Sequence, residues 1–128
     1  MTLAYLDTSA FVKTIVQEPE SARLLSWLEQ WPERAACALL RTEAVRALRP
    51  HGQGRVEAAR ARFPTLQLTR IDDRLLDEAA QLPIELRSLD AIHVAAARSL
   101  GSDLGALVTY DLRMASVARE LGLPVASP

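Results

Sequence analysis

The chain has 128 residues, of which 49% are apolar and 24% charged, with a formal net charge of −1. That length suits one domain over residues 1–128 with a sizeable core, and the composition is ordinary for a globular protein. The near-zero charge excludes a bulk electrostatic footprint for nucleic acid, though acids can still gather in one place and bases in another.

The start, Met1 to Asp7, has no basic n-region, and its apolar run is too short for a signal peptide. No stretch approaches the ~20 apolar residues of a membrane span, so the expected compartment is the cytoplasm, with no membrane partner. Leu3-Ala4-Tyr5-Leu6 reads as a buried strand that stops at Asp7. Asp7-Thr8-Ser9 supplies capping residues for a helix through Val16, and Glu18-Pro19-Glu20-Ser21 restarts a helix that Pro32 ends. Ala35 to Leu40 reads as a second buried strand. It contains Cys37, the only cysteine, which leaves no internal disulfide and no cysteine metal cluster. Thr42-Glu43 opens a short helix to Leu48, and Gly54 to Phe63 is a further helix rich in Arg and Ala. Leu66 to Ile71 alternates and reads as a third strand near a sheet edge.

Asp72 begins a helix that Pro83 stops. The central helix runs from Ser88, expected as its cap, to about Leu100 and ends at Gly101. Its small apolar residues predict burial on most sides, with Asp90 as the exception in its first turn. Ala106 to Thr109 is a fourth strand, Asp111 starts the next helix, and Pro124-Val125-Ala126 is a short last strand. Strands that alternate with helices and read as continuous apolar runs predict a three-layer α/β/α sandwich with a mostly parallel sheet. Sites in such sheets form beyond the carboxyl ends of the strands.

Four acids occupy comparable places in that pattern. Asp7 follows the first strand and Asp111 stands just past the fourth, while Glu43 and Asp90 lie in first turns of helices. Taken singly, each reads as a helix cap or a first-turn acid. Taken jointly, they suggest a shared site, because clustered carboxylates repel unless a cation sits among them. Oxygen ligands suit a hard cation, Mg²⁺ or Mn²⁺. Such an ion activates water and stabilises charge on a phosphoryl group, so the chemistry indicated is metal-dependent phosphodiester hydrolysis.

Asp7-Thr8-Ser9-Ala10, Thr42-Glu43, Leu89-Asp90-Ala91-Ile92-His93-Val94-Ala95-Ala96-Ala97 and Thr109-Tyr110-Asp111-Leu112-Arg113-Met114 resemble the four motifs of PIN-domain ribonucleases. Length and order resemble the VapC toxins of type II toxin–antitoxin systems. The resemblance covers nearly the whole chain, and the third motif is its most specific part. It implies a sandwich with about five parallel strands and a Mg²⁺- or Mn²⁺-dependent endoribonuclease. It also implies RNA as substrate, a cognate antitoxin as partner and a homodimer when free. Asp7, Glu43, Asp90 and Asp111 match its acidic positions. Asp7 and Asp90 are the expected direct metal ligands; Glu43 and Asp111 bind metal directly, through water, or position the attacking water. Ser9 or Thr8 would bond a ligand carboxylate or the scissile phosphate, Thr109 is a weaker candidate for that task, and Arg113 would pair with Asp111, meet phosphate or stay solvated.

Other residues carry open alternatives. His93 stands one turn after Asp90 and reads first as a core histidine with a satisfied hydrogen bond, with a ligand or general-base role as the alternative. Arg41, Arg46, Arg49, Arg55, Arg60 and Arg62 form a basic run that suits either phosphate contacts or a solvated face. Trp27 and Trp31, with Phe11, read as core or as a groove for a partner. Rival functions are a PIN-type RNA-processing nuclease without an antitoxin, a catalytically silent PIN module binding RNA or protein, and a phosphotransferase with Asp7 as nucleophile. Against the last, Ser9 stands where haloacid-dehalogenase-like phosphatases carry a second Asp.

Overall fold

Leu3-Ala4-Tyr5-Leu6 forms strand β1 (Leu3–Leu6), and all of it is buried, as expected for a parallel strand covered on both faces. A computed structural model describes residues 2–128. After β1 come helices α1 (Thr8–Lys13) and α2 (Ser21–Leu28), strand β2 (Arg34–Cys37), and helices α3 (Leu40–Leu48) and α4 (Gln53–Arg62). Strand β3 (Gln67–Thr69), α5 (Asp73–Ala80) and α6 (Ser88–Ser99) follow, then β4 (Leu104–Val108), α7 (Leu112–Glu120) and β5 (Val125–Ala126).

The five strands form one all-parallel sheet in the order β3-β2-β1-β4-β5. The chain winds outward from β1 to β3, returns to lay β4 on the other side of β1, and finishes at β5. The order therefore reverses between β1 and β4, and the crevice at their carboxyl ends is where ligands bind in open α/β sheets.

Alternation along the strands divides the core in two. Leu3, Tyr5, Cys37 and Leu107 face Leu75, Val94 and Met114 on α5, α6 and α7. Ala4, Leu6, Ala36 and Val108 face Phe11, Leu24, Leu40 and Val56 on α1 to α4. Those two packed layers around the sheet are the expected three-layer sandwich. Among the described residues, no helix is long and apolar enough to cross a membrane.

Several boundaries differ from expectation. The apolar run Ala35 to Leu40 is not all strand: β2 ends at Cys37 and Leu40 already begins α3. Both elements are buried there, so hydrophobicity alone does not mark the junction. Ser88 does not cap α6. Arg87 holds the extended N-cap position without a side-chain capping bond, and Ser88 is the exposed first helical residue. Trp27 and Trp31 stack with centroids 5.1 Å apart and pack partly buried on the α1–α4 side, while Phe11 is buried and stacks on Phe63.

Candidate active site

Asp7 is the first residue past β1, and its main-chain N–H donates to Val108 O at the end of β4. It sits in extended conformation as the N-cap of α1, where Oδ1 accepts the Ala10 N–H at 2.9 Å. The expected capping role is thus real. It accounts for only part of the bonding of a carboxylate that is 3% exposed. The Ser9 hydroxyl donates to Oδ1 at 2.8 Å, and the buried Thr109 hydroxyl donates to Oδ2 at 2.6 Å. Burial pushes the Asp7 carboxyl above its ordinary range, and the bonds from Thr109, Ala10 and Ser9 oppose that shift without cancelling it.

Two hydroxyls join Asp7 to the end of β4. Thr109 Oγ1 accepts the Asp111 N–H at 3.1 Å while donating to Asp7, and Ser9 Oγ accepts the Tyr110 N–H at 3.2 Å while donating to Asp7. Asp111 itself caps α7, with Oδ1 accepting the Met114 N–H at 2.8 Å. Asp7 and Asp111 therefore flank the reversal of strand order through a shared hydrogen-bonded platform.

Glu43 reaches the same region from α3. Its Oε1 accepts the Thr8 hydroxyl at 2.7 Å and lies 2.6 Å from His93 Nε2, and its side chain stays 22% exposed. Burial alone would raise this carboxyl, but the bonds from His93 and Thr8 outweigh it and hold the group below the ordinary range. Thr8 and Ser9 thus divide their work: Thr8 serves Glu43 and Ser9 serves Asp7. Asp90 lies in the first turn of α6, where Arg87 Nε stands 3.4 Å from Oδ2, and it is one helical turn before His93. Arg113 is exposed on α7 and, among the described residues, makes no ion pair with Asp111.

Tyr5 is the site residue that sequence reasoning passed over as plain core. It is fully buried, and its hydroxyl lies 2.8 Å from His93 Nδ1. The available signal was the phenol itself, because a tyrosine inside an aliphatic buried strand needs a partner for its hydroxyl. Burial, with the negative charges near it, pushes the phenol well above its usual range and keeps it protonated. The basic run is exposed throughout, on α3, α4 and the turn between them; Arg60 pairs with Glu57 and Arg62 bonds Thr14.

The donors at this edge are oxygens, which suits a hard divalent cation. Among the described residues, no three His, Cys, Asp or Glu side chains stand close enough to enclose an ion.

A PIN domain family model matches residues 4–120. The chain is 48% identical to Ribonuclease VapC46 of Mycobacterium tuberculosis, covering 100% of this chain and 99% of that protein. It is 39% identical to Ribonuclease VapC47 of the same species, covering 98% and 97%. Among solved structures, the M. tuberculosis toxin VapC20, described as cleaving the sarcin–ricin loop, superposes with a TM-score of 0.79 at 17% identity, covering 99% of this chain and 100% of that one. A toxin–antitoxin complex from Klebsiella pneumoniae gives 0.74 at 22% identity, covering 98% and 97%. At those identities the structural matches establish the fold.

Proposed function

The chain belongs to the PIN-domain family, alongside the VapC ribonucleases, and from that premise we propose that it is a Mg²⁺- or Mn²⁺-dependent endoribonuclease toxin acting in the cytoplasm. The observation that carries this reading is the buried Asp7 carboxylate at the reversal of strand order, bridged by Thr109 and Ser9 to the chain segment of Asp111.

Asp7 and Asp90 are the proposed direct cation ligands, and Glu43 and Asp111 would add to the hold on the ion directly or through water. When bound there, a divalent ion supplies Lewis-acid charge on the phosphoryl group and a more acidic water. Ser9 and Thr109 hold both oxygens of Asp7 in one orientation, so the carboxylate is preorganised rather than free to rotate. Glu43, kept ionised by its two donors, orients the attacking water in line with the leaving oxygen. Asp111 acts from the α7 side as a further ligand or water-holding group, and Arg113 meets phosphate beyond it.

The proposed partners are an RNA substrate, a cognate antitoxin and a second copy of the chain. The ribonuclease relatives support the first, and the Klebsiella neighbour, itself a toxin–antitoxin complex, supports the second. The test is cleavage of a mixed RNA pool by purified protein with Mg²⁺ or Mn²⁺, with EDTA, and with the Asp7→Asn variant. Metal-dependent cuts that vanish in the variant are expected. Metal-dependent cutting retained in both Asp7→Asn and Asp90→Asn would overturn the assignment of the site.

A further inference from the structure

His93 is 2% exposed, and Tyr5, two residues before Asp7 on β1, is 0% exposed. The two side chains meet between the sheet and α6, with the Tyr5 hydroxyl 2.8 Å from Nδ1. The other ring nitrogen, Nε2, lies 2.6 Å from Glu43 Oε1. The direction of each bond follows from what the atoms can do. An ionised carboxylate only accepts, so the proton between His93 and Glu43 belongs to Nε2. In a neutral imidazole Nδ1 is then an acceptor, and the Tyr5 O–H donates to it. The chain Tyr5 O–H to Nδ1, Nε2–H to Oε1 satisfies every buried polar atom along it.

Thr8 donates to that same Oε1 at 2.7 Å from the opposite element, α1. Both donors fall on one oxygen, so Oε2 carries neither of these bonds. A carboxylate held by one oxygen from two sides has its plane fixed, with the second oxygen left for water or a cation. Buried partners that fix the orientation and tautomer of a site residue are as much a part of such a site as its ligands.

We propose that His93 is a positioning residue for Glu43: the carboxylate sets the imidazole as the Nε2–H tautomer, Tyr5 anchors the ring by donating to Nδ1, and the ring holds Oε1 so that Oε2 is presented to the reacting water. This rests on the place given to Glu43 in the proposed reaction.

The test combines a measurement blind to catalysis with one that reads it. Long-range ¹H–¹⁵N spectra of the full chain in EDTA report the tautomer, with His51→Gln assigning the two histidines. The Nε2–H form is expected at His93 in the parent and also in Tyr5→Phe, where Glu43 still requires the proton on Nε2. A pure Nδ1–H form in the parent would overturn the proposal. In RNA cleavage and in Mn²⁺ titration by calorimetry, His93→Leu should lose about 10- to 100-fold, carried by kcat rather than by KM for RNA. His93→Gln keeps an N–H able to reach Oε1 and should recover most of the loss at a similar melting temperature. A merely structural His93 would lower the melting temperature in both variants and leave kcat per folded molecule unchanged, which overturns the proposal. Should His93→Leu not fold, His93→Gln and Tyr5→Phe decide by the same readouts. If Asp7→Asn is dead while His93→Leu cuts at the parental rate with parental Mn²⁺ affinity, the positioning role falls and the nuclease reading stands. If the parent cuts no RNA, the nuclease reading falls, and the tautomer and Mn²⁺ affinity still decide the positioning.

Discussion

Asp7 and Glu43 are carboxylates with opposite electrostatic positions, and the difference predicts opposite pH behaviour. Asp7 is buried and its folded pKa is raised. Its contribution to stability is complete at pH below the unfolded value and is lost as pH rises through the folded value. At neutral pH without metal it therefore acts against the fold. Asn caps a helix about as well as Asp, so Asp7→Asn keeps the Ala10 bond and removes the buried charge, but its Nδ2 faces the Thr109 hydroxyl as a second donor and that bond is lost. The variant should be inactive, and its stability relative to the parent should be highest at neutral pH and fall toward acid pH. Glu43 is the reverse. Its lowered pKa gives stability that is present above the unfolded value and lost as pH falls through the folded one, so Glu43→Gln should be less stable at neutral pH and converge on the parent in acid. Melting curves in EDTA across the acid-to-neutral range check both. Parallel pH slopes for the two variants would contradict the electrostatics assigned here.

Single elements show what the sequence made readable and where it stopped. β1 was legible because an apolar run ending at Asp7 has few other readings, and the Asp72 and Asp111 helix starts were legible because both carboxylates do cap, accepting from Leu75 and Met114. The start of α6 was not, since Ser88 is a good cap in the abstract and the chain turns helical one residue too early for it. The pairing of Thr8 with Glu43 across α1 and α3 was beyond reach, because it depends on how two helices dock and not on any local pattern. The same holds for Gly105 in β4. No turn calls for a glycine there, but a Cβ would fall 2.4 Å from Trp31 Cζ3. Gly105→Ala should therefore destabilise by roughly 1–3 kcal/mol, the usual cost of overpacking. Trp31→Leu should relieve most of that cost in the double variant, read by urea denaturation followed by circular dichroism. Additive losses would mean that Trp31 is not what the strand makes room for.

At the scale of the molecule, the sheet consists of one arm winding outward through β2 and β3 and another through β4 and β5, meeting where β1 lies beside β4. Backbone pairing joins the arms along their length and ends with the Asp7 N–H on Val108 O, and beyond Val108 the join is made by side chains. Thr109 and Ser9 each donate to Asp7 from one side and accept a main-chain N–H of the β4 exit from the other. The carboxylate proposed to hold metal is thus also the group on which the two arms are registered. Thr109→Val keeps the shape and removes the hydroxyl, leaving Asp7 Oδ2 without that donor and the Asp111 N–H without that acceptor. Ser9→Ala does the same for Oδ1 and the Tyr110 N–H. Each should lower RNA cleavage by about 10- to 100-fold, and Thr109→Val, at a fully buried position, should also cost roughly 1–3 kcal/mol of stability. Because both act on one carboxylate, the combined loss in cleavage should be well short of the product of the single losses. A fully multiplicative loss would mean that Ser9 and Thr109 serve separate functions, and that the two arms are not held at the site through Asp7.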